Sequence, residues 1–177
     1  GVFALTLDAG GNAINLNYTP GGGDSAGESW LASSFSAAEL GDVTISGWNA
    51  DTDSDGLPTL LEYALGGDPK EQDGNLAPIV ETSSLAGNPD GPRLSLSFTR
   101  LLDRTDIDYV VQATNSLEGG WTVIGQIAGG TAPVALNGGS LMAGPSIGNR
   151  QSVTFLDAVL VRNARKRFIR LEVVKLP

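Results

Sequence analysis

Residues 51 to 62 read Asp-Thr-Asp-Ser-Asp-Gly-Leu-Pro-Thr-Leu-Leu-Glu, a run of oxygen donors at spacings suited to holding a hard cation. Asp51, Asp53 and Asp55 offer carboxylates at positions one, three and five, Leu57 a backbone carbonyl at seven, and Glu62 a bidentate carboxylate at twelve. Gly56 takes the sharp turn at position six, and Thr59 at nine holds a water or binds directly. This is the spacing of a calcium loop, since calcium takes six to eight oxygens at about 2.3–2.6 Å and only a tightly wound loop brings carboxylates so close together. The competing reading is an ordinary Asp/Gly turn, which such residues favour without a metal. Chance produces a match at the five constrained positions in roughly one sequence of this length in a thousand. With no Lys or Arg in the loop, its four carboxylates also repel one another unless a counter-ion sits among them.

The elements that position this loop follow from its flanks. Pro58 lacks an N–H and suits the first position of a helix. Paired EF-hands join their loops through the N–H at position eight, so a loop with proline there stands alone. Leu57, Leu60, Leu61, Ala64 and Leu65 fall at helical spacing and pack the helix carrying Glu62 onto a core, and Gly66, Gly67 and Pro69 end it. Upstream, residues 28 to 40 predict one or two short helices, with Ser36 and Glu39 spaced as a capping box that restarts the helix midway. Val43, Ile45 and Trp48 are the expected core plugs before the loop, with Trp48 as a buried anchor or a sugar-stacking platform.

After Pro69 the apolar period changes from helical to two. Strands are predicted near 79–82, 94–98, 109–114, 121–127, 134–136, 153–155 and 169–173, separated by Gly/Pro/Asn turns. The expected fold is mostly β with a short helical calcium-loop segment: a helix-loop-helix followed by an immunoglobulin/fibronectin-like antiparallel β-sandwich. Residues 1–18 alternate about a Gly-Gly-Asn turn and predict a β-hairpin, read as the tail of a preceding domain. Residues 19–27 form a Gly-rich linker, 28–70 the helix–calcium loop–helix segment and 71–177 the sandwich.

Net charge is −9, unevenly spread: residues 1–76 carry twelve acids and one Lys, residues 77–177 eight acids and ten bases. The acidic half is the loop half, which argues against nucleic acid as a partner. The chain has no Cys and no His, so thiolate and imidazole metal ligands and Ser-His or Cys-His nucleophiles are absent. Acids outside the loop form no recognisable pair for glycoside hydrolysis, and a non-enzyme is expected. No apolar run reaches the length of a membrane span. Asp103, Asp106 and Asp108 read as one loop between strands, either a solvated turn or a second cation site. Arg162, Arg165, Lys166, Arg167 and Arg170 either guard an edge strand or meet an anionic polymer.

The run FSAAELGDVTISGWNADTDSDGLPTLLEYALGGDP, residues 35–69, resembles a segment near the C-terminus of large exported bacterial proteins, often after autotransporter-associated β-repeats. Its loop also resembles dockerin and thrombospondin type 3 calcium loops. YVVQATNSLEGGWTVI (109–124) and RFIRLEVV (167–174) resemble the strands that close such proteins. The resemblance implies a terminal module of a secreted or cell-surface bacterial protein with calcium as its ion. Its expected role is structural or adhesive, with a polysaccharide-binding module as the alternative and polysaccharide or another surface protein as the partner. Dockerins bind through two loops, and this chain has one.

Overall fold

A computed structural model describes the backbone of residues 2–7 and 14–19 and all of residues 25–84 and 90–177. The predicted turn at Gly10, Gly11 and Asn12 and linker residues 20–24 lie outside the described residues. Strands β1 (Val2–Leu7) and β2 (Ile14–Thr19) pair antiparallel in a two-stranded sheet of their own.

Helix α1 (Ala26–Ser34) begins two residues earlier than the periodicity predicts. Ser25 accepts the Glu28 N–H and the Glu28 carboxylate accepts the Ser25 N–H, a reciprocal cap that takes residues 25–27 out of the expected linker. The second expected box, Ser36 with Glu39, opens α2 (Ala37–Leu40). Asp42 then caps a single turn, α3 (Val43–Ser46). Here one expectation fails: Val43 is 77% exposed. It is the first residue of that turn and faces away from the sandwich, while Trp48, just after it, packs against the core.

Helix α4 (Thr59–Leu65) carries Glu62 and stops at Gly66, whose φ of 83° is left-handed and whose N–H donates to the Glu62 carbonyl at 2.7 Å. Sandwich side chains satisfy the carbonyls of its last turn. Arg104 Nε donates to Tyr63 O at 2.9 Å, the Tyr109 hydroxyl to Ala64 O at 2.6 Å, and Arg150 Nη2 to Gly66 O at 2.9 Å. Orphan carbonyls and the negative end of the helix dipole thus meet two guanidinium groups.

Among the described residues eight strands follow: β3 (Ile79–Ser83), β4 (Arg93–Leu101), β5 (Ile107–Thr114), β6 (Thr122–Ile127), β7 (Val134–Ala135), β8 (Ser140–Ile147), β9 (Arg150–Leu160) and β10 (Phe168–Lys175). They form two antiparallel four-stranded sheets, ordered β3-β4-β9-β8 and β10-β5-β6-β7. The sheets face each other as a β-sandwich. Leu96, Phe98, Val153 and Phe155 from the first interleave with Ile107, Tyr109, Val111, Ala113, Ile124 and Ile127 from the second. Tyr63, Ala64 and Leu65 of α4 complete the same core.

Packing is tightest where β6 crosses β9, since a Cβ placed on Gly125 would overlap the Phe155 ring. Overfilling a close-packed core costs about 1–3 kcal/mol. For a domain of this size that corresponds to about 2–12 °C in Tm. Gly125→Ala should therefore melt lower by that amount in a thermal unfolding experiment, and an unchanged Tm would show a looser crossing.

Candidate metal centre

The expected loop folds around its own carboxylates. Asp51 accepts the N–H groups of Asp55 and Gly56 at 3.2 and 3.1 Å, Asp53 accepts that of Asp55 at 3.2 Å, and Asp55 accepts that of Leu57 at 2.8 Å. Gly56 at φ 94° and Ser54 at φ 63° supply the left-handed residues that wind the backbone inward. Carboxylate oxygens of Asp51, Asp53 and Asp55 consequently lie within 4.8 Å of one another. Leu57 packs its side chain inward, 4% exposed.

Glu62 reaches the loop from the first turns of α4, and it is fully buried. Neither of its carboxylate oxygens has a hydrogen-bond partner. Thr59 is equally buried, and its hydroxyl donates to the Ala50 carbonyl at 2.9 Å.

Asp73 is the site residue that the sequence does not announce. Its carboxylate lies with those of Asp55 and Glu62 within 4.8 Å, its N–H donates to Asp55 Oδ2 at 2.8 Å, and its Oδ2 accepts the Asp68 N–H at 2.9 Å. Its Oδ1, like Asp53 Oδ2, is buried and unpartnered. Two glycines permit the approach: a Cβ on Gly67 would stand 2.8 Å from Asp73 Oδ2, and one on Gly74 would stand 3.0 Å from the Asp55 carbonyl. Eleven residues beyond Glu62, Asp73 obeys no loop spacing, and the Gly67 and Gly74 pair is the only local sign of it.

The electrostatics of this cluster are adverse as it stands. Burial, then the charges of Asp53, Asp73, Asp55 and Asp51, push the Glu62 carboxyl up to about 8. Burial chiefly raises the Asp53 carboxyl too, with the Asp55 and Asp51 charges adding to it. Lys70, the one base in residues 1–76, pairs instead with Glu39 at 2.9 Å. The acids form two triads, Asp51–Asp53–Asp55 and Asp55–Glu62–Asp73, joined through Asp55. Four of their carboxylate oxygens are buried without a partner, and in a chain without His or Cys such a donor set could hold an oxygen-seeking cation of charge two or more.

Asp103, Asp106, Asp108, Arg167 and Arg170 are each tied to neighbours within the fold, whereas Arg162, Arg165 and Lys166 are exposed. Asp106 accepts the Gly27 N–H at 2.8 Å and the Tyr63 hydroxyl at 2.6 Å, Asp108 lies in β5 and accepts the Gly129 N–H at 2.8 Å, and Asp103 pairs with Arg104 at 3.1 Å. Asp103 and Asp106 share the loop before β5, whereas Asp108 lies within the strand, because β5 begins at Ile107. Arg167 forms an ion pair with the buried Asp157, and Arg170 lies 4.1 Å from the Trp121 ring centroid. Trp30 and Trp48 stack 6.4 Å apart, and both lean on Tyr63. Among the described residues no helix is long and apolar enough to cross a membrane. No protein-family model matches this chain, and no curated protein or solved structure does.

A carboxyl that titrates higher folded than unfolded stabilises the fold while protonated. In the metal-free protein the Glu62 contribution is full below the ordinary glutamate value near 4.5 and is lost as pH rises through about 8. With chelator present, Tm should fall across that window, and Glu62→Gln should flatten the fall. A Tm profile identical in wild type and Glu62→Gln would contradict the described burial of this carboxylate.

Proposed function

We propose that this chain is a non-catalytic, calcium-stabilised module of a secreted or cell-surface protein, with a structural or adhesive role. One observation carries the reading: a fully buried Glu62 whose two oxygens have no partner and whose nearest charges are all negative. Asp51, Asp53, Asp55, the Leu57 carbonyl and Glu62 would hold the ion, with Asp73 as a ligand from outside the loop and Thr59 at the water-bearing position. Calcium is favoured over magnesium because a carboxylate-rich, irregular cage suits a large ion with flexible coordination. The ion would supply charge and cross-linking and no reaction step. It would join the loop to the segment that leads through Asp73 into β3. Millimolar calcium outside cells matches the affinity range of single extracellular loops.

An immunoglobulin-like arrangement is supported by the strand order. Lettering β3 to β10 as A, B, C, C′, C″, D, E and F gives sheets A-B-E-D and F-C-C′-C″, the variable-type order without its final strand G. A carbohydrate-binding module would need an exposed aromatic platform. The packing of Trp30 and Trp48 on Tyr63 and of Trp121 under Arg170 supports the structural role instead.

At a dissociation constant of about 0.1 mM and calcium of about 2 mM, linkage adds about 1.8 kcal/mol, or about 4–7 °C in Tm. Calcium should raise the melting temperature of wild type by that amount over a chelated sample. Asp55→Ala should abolish the rise and Asp73→Asn should reduce it. Equal melting temperatures in all these samples would remove calcium from the account, and a full rise in Asp73→Asn would remove only Asp73.

A further inference from the structure

The two sheets of the sandwich are out of step at one side. β10 packs beneath β4, so β3, which lies beyond β4, overhangs the end of the opposite sheet. Residues directly across an antiparallel pair share a face, and Val80 and Thr82 stand opposite Leu96 and Leu94. Leu96 belongs to the core, so Val80 lies on the inward face of its sheet and is nevertheless 51% exposed. On the other sheet Ile169, Leu171 and Val173 stand opposite Ala113, Val111 and Tyr109 on the inward face. The β5 residues are fully buried, whereas their β10 neighbours are only half-buried. Among the described residues no strand pairs with the outer edge of β10. An apolar seat one strand wide is thus open beneath β3 and beside β10.

The chain also contains a strand pair that, among the described residues, joins neither sheet of the sandwich. The register of β1 with β2 pairs Phe3 with Tyr18, Leu5 with Leu16 and Leu7 with Ile14, so the six large apolar residues of the two strands fall at one alternating set of register positions. Val2, Ala4, Thr6, Asn15, Asn17 and Thr19 fall at the other. A lone two-stranded ribbon is marginal in water. We propose that this N-terminal hairpin adds one of its strands to the free edge of β10, extending that sheet and placing that strand in the seat under Val80.

Two observations favour the hairpin of the same chain. The Gly27 N–H donates to the Asp106 carboxylate, and the Asp106 carbonyl accepts the Leu176 N–H at 2.8 Å, so α1 starts beside the end of β10. Thr19 is six residues from Ser25, a reach of at most about 21 Å, against the ~4.8 Å spacing of neighbouring strands. Such a tether gives the hairpin a local concentration in the millimolar range. The inference does not depend on a bound metal.

Hydrogen exchange on the full chain tests it, with Leu5→Asp at an apolar register position of the hairpin, Val80→Asp on the seat and Ala4→Asp at the alternate register set as control. In wild type the β10 amides not bonded to β5 should be protected, and Leu5→Asp and Val80→Asp should each speed their exchange at least about tenfold. Ala4→Asp should leave it unchanged. Light scattering should report a monomer at every concentration tested. The proposal is overturned if these amides exchange equally fast in wild type and both variants, or if Ala4→Asp acts as strongly as Leu5→Asp. Protection accompanied by a dimeric mass overturns the same-chain assignment.

Discussion

Glu62 cannot leave the protein interior without dismantling the core. Its neighbours Tyr63, Ala64 and Leu65 are buried in succession, so α4 is enclosed on nearly every side instead of along one stripe. A carboxylate fixed in such a helix must stay protonated or find a positive charge, because an isolated buried charge costs far more than a domain's net stability. The surrounding side chains add negative charge. Burial and the acids of the loop and of Asp73 together raise the Glu62 carboxyl.

The helical segment is fastened to the sandwich from two directions. At the C-terminal end of α4, Arg104, Tyr109 and Arg150 take up the free carbonyls, and Asp106 ties Tyr63 to the start of α1. These bonds need no ion. On the other side the acids span the loop, α4 and the turn before β3, and a bound cation would turn their repulsion into a cross-link. The proposed ion therefore acts on a segment already placed by packing, which suits a stabilising role better than one in nucleating the fold. A hairpin seated beside β10 would close the remaining open side of the same sandwich.

How much of this the sequence disclosed depended on whether the signal was local. The spacing of Asp51, Asp53, Asp55 and Glu62, the Gly66 stop and the Ser36–Glu39 box are fixed by backbone geometry within a few residues, and all are legible. The alternating strands at 94–98 and 109–114 are legible because each buries one face. β8 was missed because its exposed sequence, interrupted by Gly144 and Pro145, lacks alternation and survives only as an edge paired to β9. Asp73 was missed because its place is set by close tertiary approach past two glycines. Tyr63 was missed as core because the helical stripe predicts one buried face, whereas the sandwich end and the Trp30–Trp48 pair enclose this helix from both sides.

Calorimetric titration of calcium into chelator-stripped protein near pH 7, repeated in buffers of different ionisation enthalpy, tests the central claim most directly. A ligand carboxyl held protonated by its burial must surrender its proton when the metal enters. The account predicts one calcium per chain, bound with release of a substantial fraction of a proton, and no such release in Glu62→Gln. Absence of binding at millimolar calcium, or binding with the same affinity and proton release in Glu62→Gln, would contradict it.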